Sequence, residues 1–123
     1  MLARKRVLII DDNVDFLELV KETLEEQNYE CITASLPSEG LEKARLEKPQ
    51  LIILDLMLPQ MSGFGLMREM KQSAELKHIP IVILTALHDE EVAKEGMDLG
   101  AVGYLQKGAA TGDLGNALRQ FPH

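Results

Sequence analysis

Apolar residues along the chain follow two alternating rhythms. Short continuous runs occur at Val7-Leu8-Ile9-Ile10, Leu51-Ile52-Ile53-Leu54 and Ile81-Val82-Ile83-Leu84. Runs this short and rich in β-branched residues read as strands buried on both faces. Two weaker strands are expected at Glu30–Ala34 and Val102–Gln106. Between the runs the period lengthens to that of a helix. From Val14 to Gln27 the apolar positions Phe16, Leu17, Val20 and Leu24 share one face, opposite Glu18, Lys21, Glu22 and Glu25. Ser38–Lys48 predicts a second helix, stopped by Pro49. Leu66, Met67 and Met70 mark a third, and Val92, Ala93 and Gly96 a fourth. Leu114, Ala117, Leu118 and Phe121 mark a short fifth.

Five strands alternating with five helices predict a single α/β domain over residues 1–123, a doubly wound parallel sheet. At this length the flavodoxin-like strand order 2-1-3-4-5 is expected. No output domain is expected within the chain, and no repeat or linker interrupts it.

Composition narrows the function. The formal charge is −7, which disfavours direct contact with nucleic acid or an anionic membrane. The basic run Arg4-Lys5-Arg6 reads as a solvated chain end beside the first strand. No apolar stretch approaches membrane-spanning length and no signal peptide is legible, so a cytoplasmic location is expected. The one cysteine, Cys31, falls in a predicted strand and reads as a small buried hydrophobe in a reducing compartment.

Ligands of doubly wound sheets gather beyond the carboxyl ends of the strands. Strand one runs into Asp11-Asp12, strand three into Asp55, strand four into Thr85 and strand five into Lys107. One aspartate after a strand is often a helix cap, and Asp12 or Asn13 can serve so here. Two adjacent aspartates cannot both cap, and a third at a neighbouring strand end adds like-charge repulsion. Such a cluster invites a hard divalent cation, and Mg²⁺ suits one or two carboxylates with retained waters. No EF-hand spacing is present for calcium. Lys107 at the rim can pair with a phosphate as a point charge, and the Thr85 hydroxyl can donate to one. The set suits phosphoryl transfer to a carboxylate, Asp55 acting as nucleophile.

With these residues the chain resembles the receiver domain of bacterial two-component response regulators. The resemblance rests on Ile9-Ile10-Asp11-Asp12-Asn13, on Leu54 through Gly63, on Leu84-Thr85-Ala86 and on Gly103-Tyr104-Leu105-Gln106-Lys107. It implies Asp55 as phosphoryl acceptor, Mg²⁺ on Asp12, Asp55 and the Met57 backbone carbonyl, and Asp11 acting partly through water. Thr85 and Lys107 would grip the phosphoryl group. Thr85 and Tyr104 would switch, reshaping a face of helix four, strand five and helix five. The implied partners are a sensor histidine kinase or phosphotransfer protein and a downstream effector, with a phosphorylation-dependent homodimer conceivable.

Three positions depart from the family pattern. Gly108 follows Lys107 in place of proline, so a trans bond and a different loop course are expected. Ser62 replaces an aspartate before Gly63, a change expected to touch only the turn. Ala101-Val102-Gly103 replaces an acidic pair, which removes grounds for the charged dimer contacts of the winged-helix subfamily. His78, His88 and His123 lack ligand spacing, and Gly63-Phe64-Gly65 reads as a loop and helix start. Met57 and Leu87 could form an apolar rim that governs water access to an acyl phosphate.

Three alternatives are weighed by the same residues. A degenerate receiver serving as a scaffold is opposed by the intact Asp55, Thr85 and Lys107. A metal-dependent phosphohydrolase would want Asp-x-Asp after strand one and a cap segment, and a flavodoxin-type cofactor binder would not place three carboxylates near a flavin phosphate.

Overall fold

A computed structural model describes residues 4–58, 62–85, 90–107 and 118–120. The elements run β1 (Lys5–Ile10), α1 (Val14–Glu26), β2 (Tyr29–Ala34), α2 (Pro37–Glu47), β3 (Leu51–Asp55), α3 (Gly63–Gln72), β4 (Ile81–Thr85), α4 (Glu90–Asp98) and β5 (Gly103–Gln106). All pairings are parallel, and the strand order is β2-β1-β3-β4-β5, as the alternation of periods predicts.

The apolar runs divide between two cores by simple alternation. Leu8, Ile10, Ile52, Leu54, Ile81 and Ile83 face Leu41 and Ala44 of α2 and Leu66, Met67 and Met70 of α3. Val7, Ile9, Leu51, Ile53, Val82 and Leu84 face the other way, onto Leu17, Val20 and Leu24 of α1. Burial on both sides explains why the runs at residues 7–10, 51–54 and 81–84 carry no polar positions. Cys31 lies in β2 inside the second core, and burial pushes its thiol pKa up to about 12. Of the fifth predicted helix only residues 118–120 are described, and Leu118 is wholly buried in this same core.

Element ends differ from the sequence reading by small, explicable amounts. β1 begins at Lys5 because Lys5 and Arg6 still pair with Tyr29 and Glu30 of β2. The Arg6 guanidinium also bonds Glu30 and the Glu47 carbonyl, tying β1 to β2 and to the end of α2. α2 begins one residue early, at Pro37, whose missing N–H costs nothing in the first turn. It ends at Glu47, with Lys48 in the left-handed region at φ 48° before Pro49. Ser62 does more than shape a turn: its Oγ accepts the Gly65 N–H at 3.2 Å and caps α3.

Candidate functional site

β1 and β3 are neighbours in register, Ile10 opposite Leu54, so Asp11 and Asp55 emerge side by side at the carboxyl edge. Asp11 is fully buried and Asp55 is 3% exposed, while Asp12 faces solvent. Each of the three offers a carboxylate oxygen, and the three oxygens lie within 4.8 Å of one another.

Local hydrogen bonds fix one oxygen of each buried carboxylate. Asp11 Oδ1 accepts the Asn13 N–H at 2.9 Å, and Asp55 Oδ1 accepts the Met57 N–H at 3.0 Å. Asn13 is the residue that caps α1, its side-chain oxygen accepting the Phe16 N–H at 3.0 Å. Asp12 is thereby left unengaged by helix capping, which keeps its carboxylate for other use.

The second oxygens face Lys107. Its Nζ stands 2.6 Å from Asp11 Oδ2 and 3.1 Å from Asp55 Oδ2, and 5.0 Å from the centre of the Phe16 ring. Burial pulls the ammonium pKa down, but its contacts with Asp11 and then Asp55 outweigh that and raise it. At Asp11 the balance tips the other way. Burial raises the carboxyl pKa, with a smaller push from Asp55, and the bonds from Lys107 and Asn13 only partly offset it. The ion pair therefore holds Lys107 charged but does not fully compensate the charge on Asp11.

A hard divalent cation fits this donor set. Three carboxylates converge, Asp11 Oδ2 is buried without a well-directed hydrogen bond, and an ammonium already bridges Asp11 and Asp55. Met57 follows Asp55 by two residues and is 78% exposed. Thr85 is the last residue of β4 and pairs with Gln106, next to Lys107, but its side chain lies outside the described residues. So do the expected Lys107–Gly108 linkage and Leu87 of the apolar rim. Tyr104 is 54% exposed on β5, turned to solvent.

Of the residues picked out from the sequence, the structure brings Asp11, Asp12, Asp55 and Lys107 together, with the backbone of Thr85 beside them. Sequence reasoning missed the contact between Phe16 and Lys107. The apolar stripe of α1 marks Phe16 as a core residue, and only the sheet order shows that its ring reaches the end of β5.

The fold and the acidic, lysine-bridged pocket define a doubly wound signalling-type domain with its site at the strand ends. The chain belongs to the response regulator receiver domain family, whose pattern it matches over residues 7–119. It is 39% identical over 103 residues to the alkaline phosphatase synthesis transcriptional regulatory protein PhoP of Bacillus subtilis, covering 84% of this chain and 42% of that protein. It is 35% identical over 106 residues to the polar-differentiation response regulator DivK of Brucella anthropi, covering 84% of each. Chemotaxis protein CheY4 of Vibrio cholerae superposes with a TM-score of 0.90 at 32% identity, over 97% of this chain and 99% of that one. The chain spans about half the length of PhoP and of the probable transcriptional regulators ycf27 that it also matches.

Receiver domains are signalling modules of two-component systems, and the chain carries one over residues 7–119. Its family works with histidine kinases and effectors. Among the described residues no helix is long and apolar enough to cross a membrane.

Proposed function

We propose that residues 1–123 form one receiver domain that acts as a cytoplasmic phosphorylation switch, with Asp55 as the acceptor. The observation that carries this reading is the Lys107 ammonium bridging Asp11 Oδ2 and Asp55 Oδ2 within a cluster of three carboxylates. Asp11, Asp12, Asp55 and the Met57 carbonyl would hold Mg²⁺. Bound there, the metal would neutralise phosphoryl oxygens and so let a carboxylate approach them.

The phosphoryl donor would be a phosphohistidine on a sensor kinase or phosphotransfer protein. An Asp55 oxygen attacks phosphorus, the P–N bond breaks, and the electron pair returns to the imidazole, which takes up a proton. Asp55 Oδ1 is held by the Met57 N–H, so the carboxylate plane is set before any donor arrives. Lys107 shifts its charge from the carboxylates to a phosphoryl oxygen, and the Thr85 hydroxyl donates to another. Water later attacks the phosphorus, the P–O bond to Asp55 breaks, and inorganic phosphate leaves.

Tyr104, exposed on β5, would turn inward when Thr85 moves toward the phosphoryl group. The face of α4, β5 and the fifth helix then changes its preference for an effector, a population shift driven by contacts made in only one state.

Intact mass after incubation with a small acyl phosphate, with and without Mg²⁺, tests the reading. Wild type is expected to gain one phosphoryl group only with Mg²⁺, and Asp55→Asn none. An adduct that persists in Asp55→Asn would mean a different acceptor. No adduct on wild type from either an acyl phosphate or a phosphohistidine donor would make the domain a scaffold.

A further inference from the structure

We propose that Phe16 is a positioning residue for Lys107, its ring face holding the ammonium over Asp55 while the carboxylates serve a metal. The inference rests on the switch reading above. It starts from a closed circuit of contacts. Asp11 Oδ1 accepts the Asn13 N–H, the Asn13 side chain accepts the Phe16 N–H, the Phe16 ring lies under Lys107 Nζ, and Lys107 returns to Asp11 Oδ2. The ring is thereby placed by the same residues that place the acid. Phe16 also packs against the α1-side core, so its position is set from both sides.

The electrostatics give the ring a purpose. Both carboxylates that Lys107 touches belong to the set that would hold a divalent cation. Once shared with that cation they attract an ammonium far less. The Lys107 side chain is 21% exposed, so a route into solvent is open to it. A carboxylate placed beneath Lys107 would hold it but would repel an incoming phosphoryl group. An aliphatic side chain would do neither. The face of a phenyl ring attracts a cation through its quadrupole and carries no net charge to compete for metal or to oppose phosphate. Phe16 can therefore keep Lys107 near Asp55 through the exchange of its partners.

A double-mutant cycle separates this role from simple packing. The rate of adduct formation from an acyl phosphate at saturating Mg²⁺ is measured for wild type, Phe16→Leu, Lys107→Met and the double variant. Phe16→Leu is expected to slow wild type by about three- to tenfold but to change Lys107→Met by less than about twofold. Phe16→Tyr, which retains the ring, is expected to stay within about twofold of wild type. The same four proteins are unfolded in urea with EDTA, where the two substitutions are expected to be non-additive without any metal or reaction. Equal slowing by Phe16→Leu in both backgrounds, or no slowing in either, overturns the positioning role. So does additive stability, or a Phe16→Tyr as slow as Phe16→Leu. Failure of wild type to form any adduct overturns the switch reading itself, a result distinct from an additive cycle on an active protein.

Discussion

Lys107 Nζ stands closer to Asp11 Oδ2, at 2.6 Å, than to Asp55 Oδ2, at 3.1 Å. The ammonium thus makes its shortest contact with Asp11, while its directed hydrogen bond goes to Asp55. It stands where a divalent cation would neutralise the same charge, so lysine and metal compete for Asp11.

That competition has a measurable consequence. Lys107→Met leaves Asp11 and Asp55 without their ammonium and should lower stability in EDTA by about 1–3 kcal/mol. Added Mg²⁺ should then raise its melting temperature by more than it raises that of wild type. An equal or smaller rise would show that Lys107 does not occupy the cation's ground.

Asp11 sets a pH dependence. Burial raises its carboxyl pKa, so the folded chain keeps this proton to higher pH than the unfolded chain does. The associated stability is fully present below the ordinary aspartate value of about 3.9 and is lost as pH rises through the elevated one. At neutral pH the ionised acid is a net cost. Asp11→Asn should therefore stabilise the EDTA-treated protein at pH 7 by on the order of 1 kcal/mol, a few degrees in melting temperature. The gain should shrink toward pH 4 and be replaced by weaker Mg²⁺ binding. A loss of stability at pH 7 would refute the sign.

Cys31 offers a probe of opening. Its thiol pKa is pushed up to about 12 by burial, with Glu25 adding and Lys21 slightly opposing. The protonated thiol favours the fold below its ordinary value near 9, and that contribution fades as pH rises toward 12. Alkylation at pH 8 should proceed only through unfolding and accelerate with urea in step with the loss of structure. Rapid labelling of the native chain would contradict this.

Two glycines should respond differently to alanine. At Gly63 a new Cβ would fall against Leu56 Cα and the Asp55 carbonyl oxygen, backbone atoms that cannot step aside. The Gly63 N–H also bonds the Leu56 carbonyl at 3.0 Å, tying the start of α3 to the residue after Asp55. Gly63→Ala should cost about 2–4 kcal/mol and slow phosphorylation as well. Gly40→Ala meets side-chain atoms of the buried Ile10 (Cδ1, Cγ1 and Cγ2) and no backbone, so it should cost less than Gly63→Ala, about 1–3 kcal/mol, which urea midpoints of the two variants would compare.

The chain wrote its architecture in the runs at residues 7–10, 51–54 and 81–84, because strands buried on both faces tolerate nothing polar. The acids and Lys107 were legible for the opposite reason, since charge directly after such a run has few structural uses. What stayed hidden depends on elements far apart in sequence. Asn13 rather than Asp12 caps α1 because Asp11 Oδ1 draws the Asn13 N–H toward it, a choice between equals that only geometry makes. The serine at position 62 looked like a lost acid and proved to be a cap. Phe16 looked like core and is also the floor under Lys107.

The strand order also says when this pocket comes into being. β1 lies between β2 and β3, so the first 55 residues hold three adjoining strands and all three aspartates. The balancing ammonium belongs to Lys107, directly after β5, which lies two strands out from β3 and is the last of the described strands. On a ribosome, where the chain emerges from its amino end, negative charge assembles before its counterweight exists. Refolding from urea should quicken with millimolar Mg²⁺ for wild type and lose that response when Asp11 and Asp12 are both replaced by asparagine. A fold read as a scaffold for signalling thus carries, in its order of assembly, an early appetite for a divalent ion.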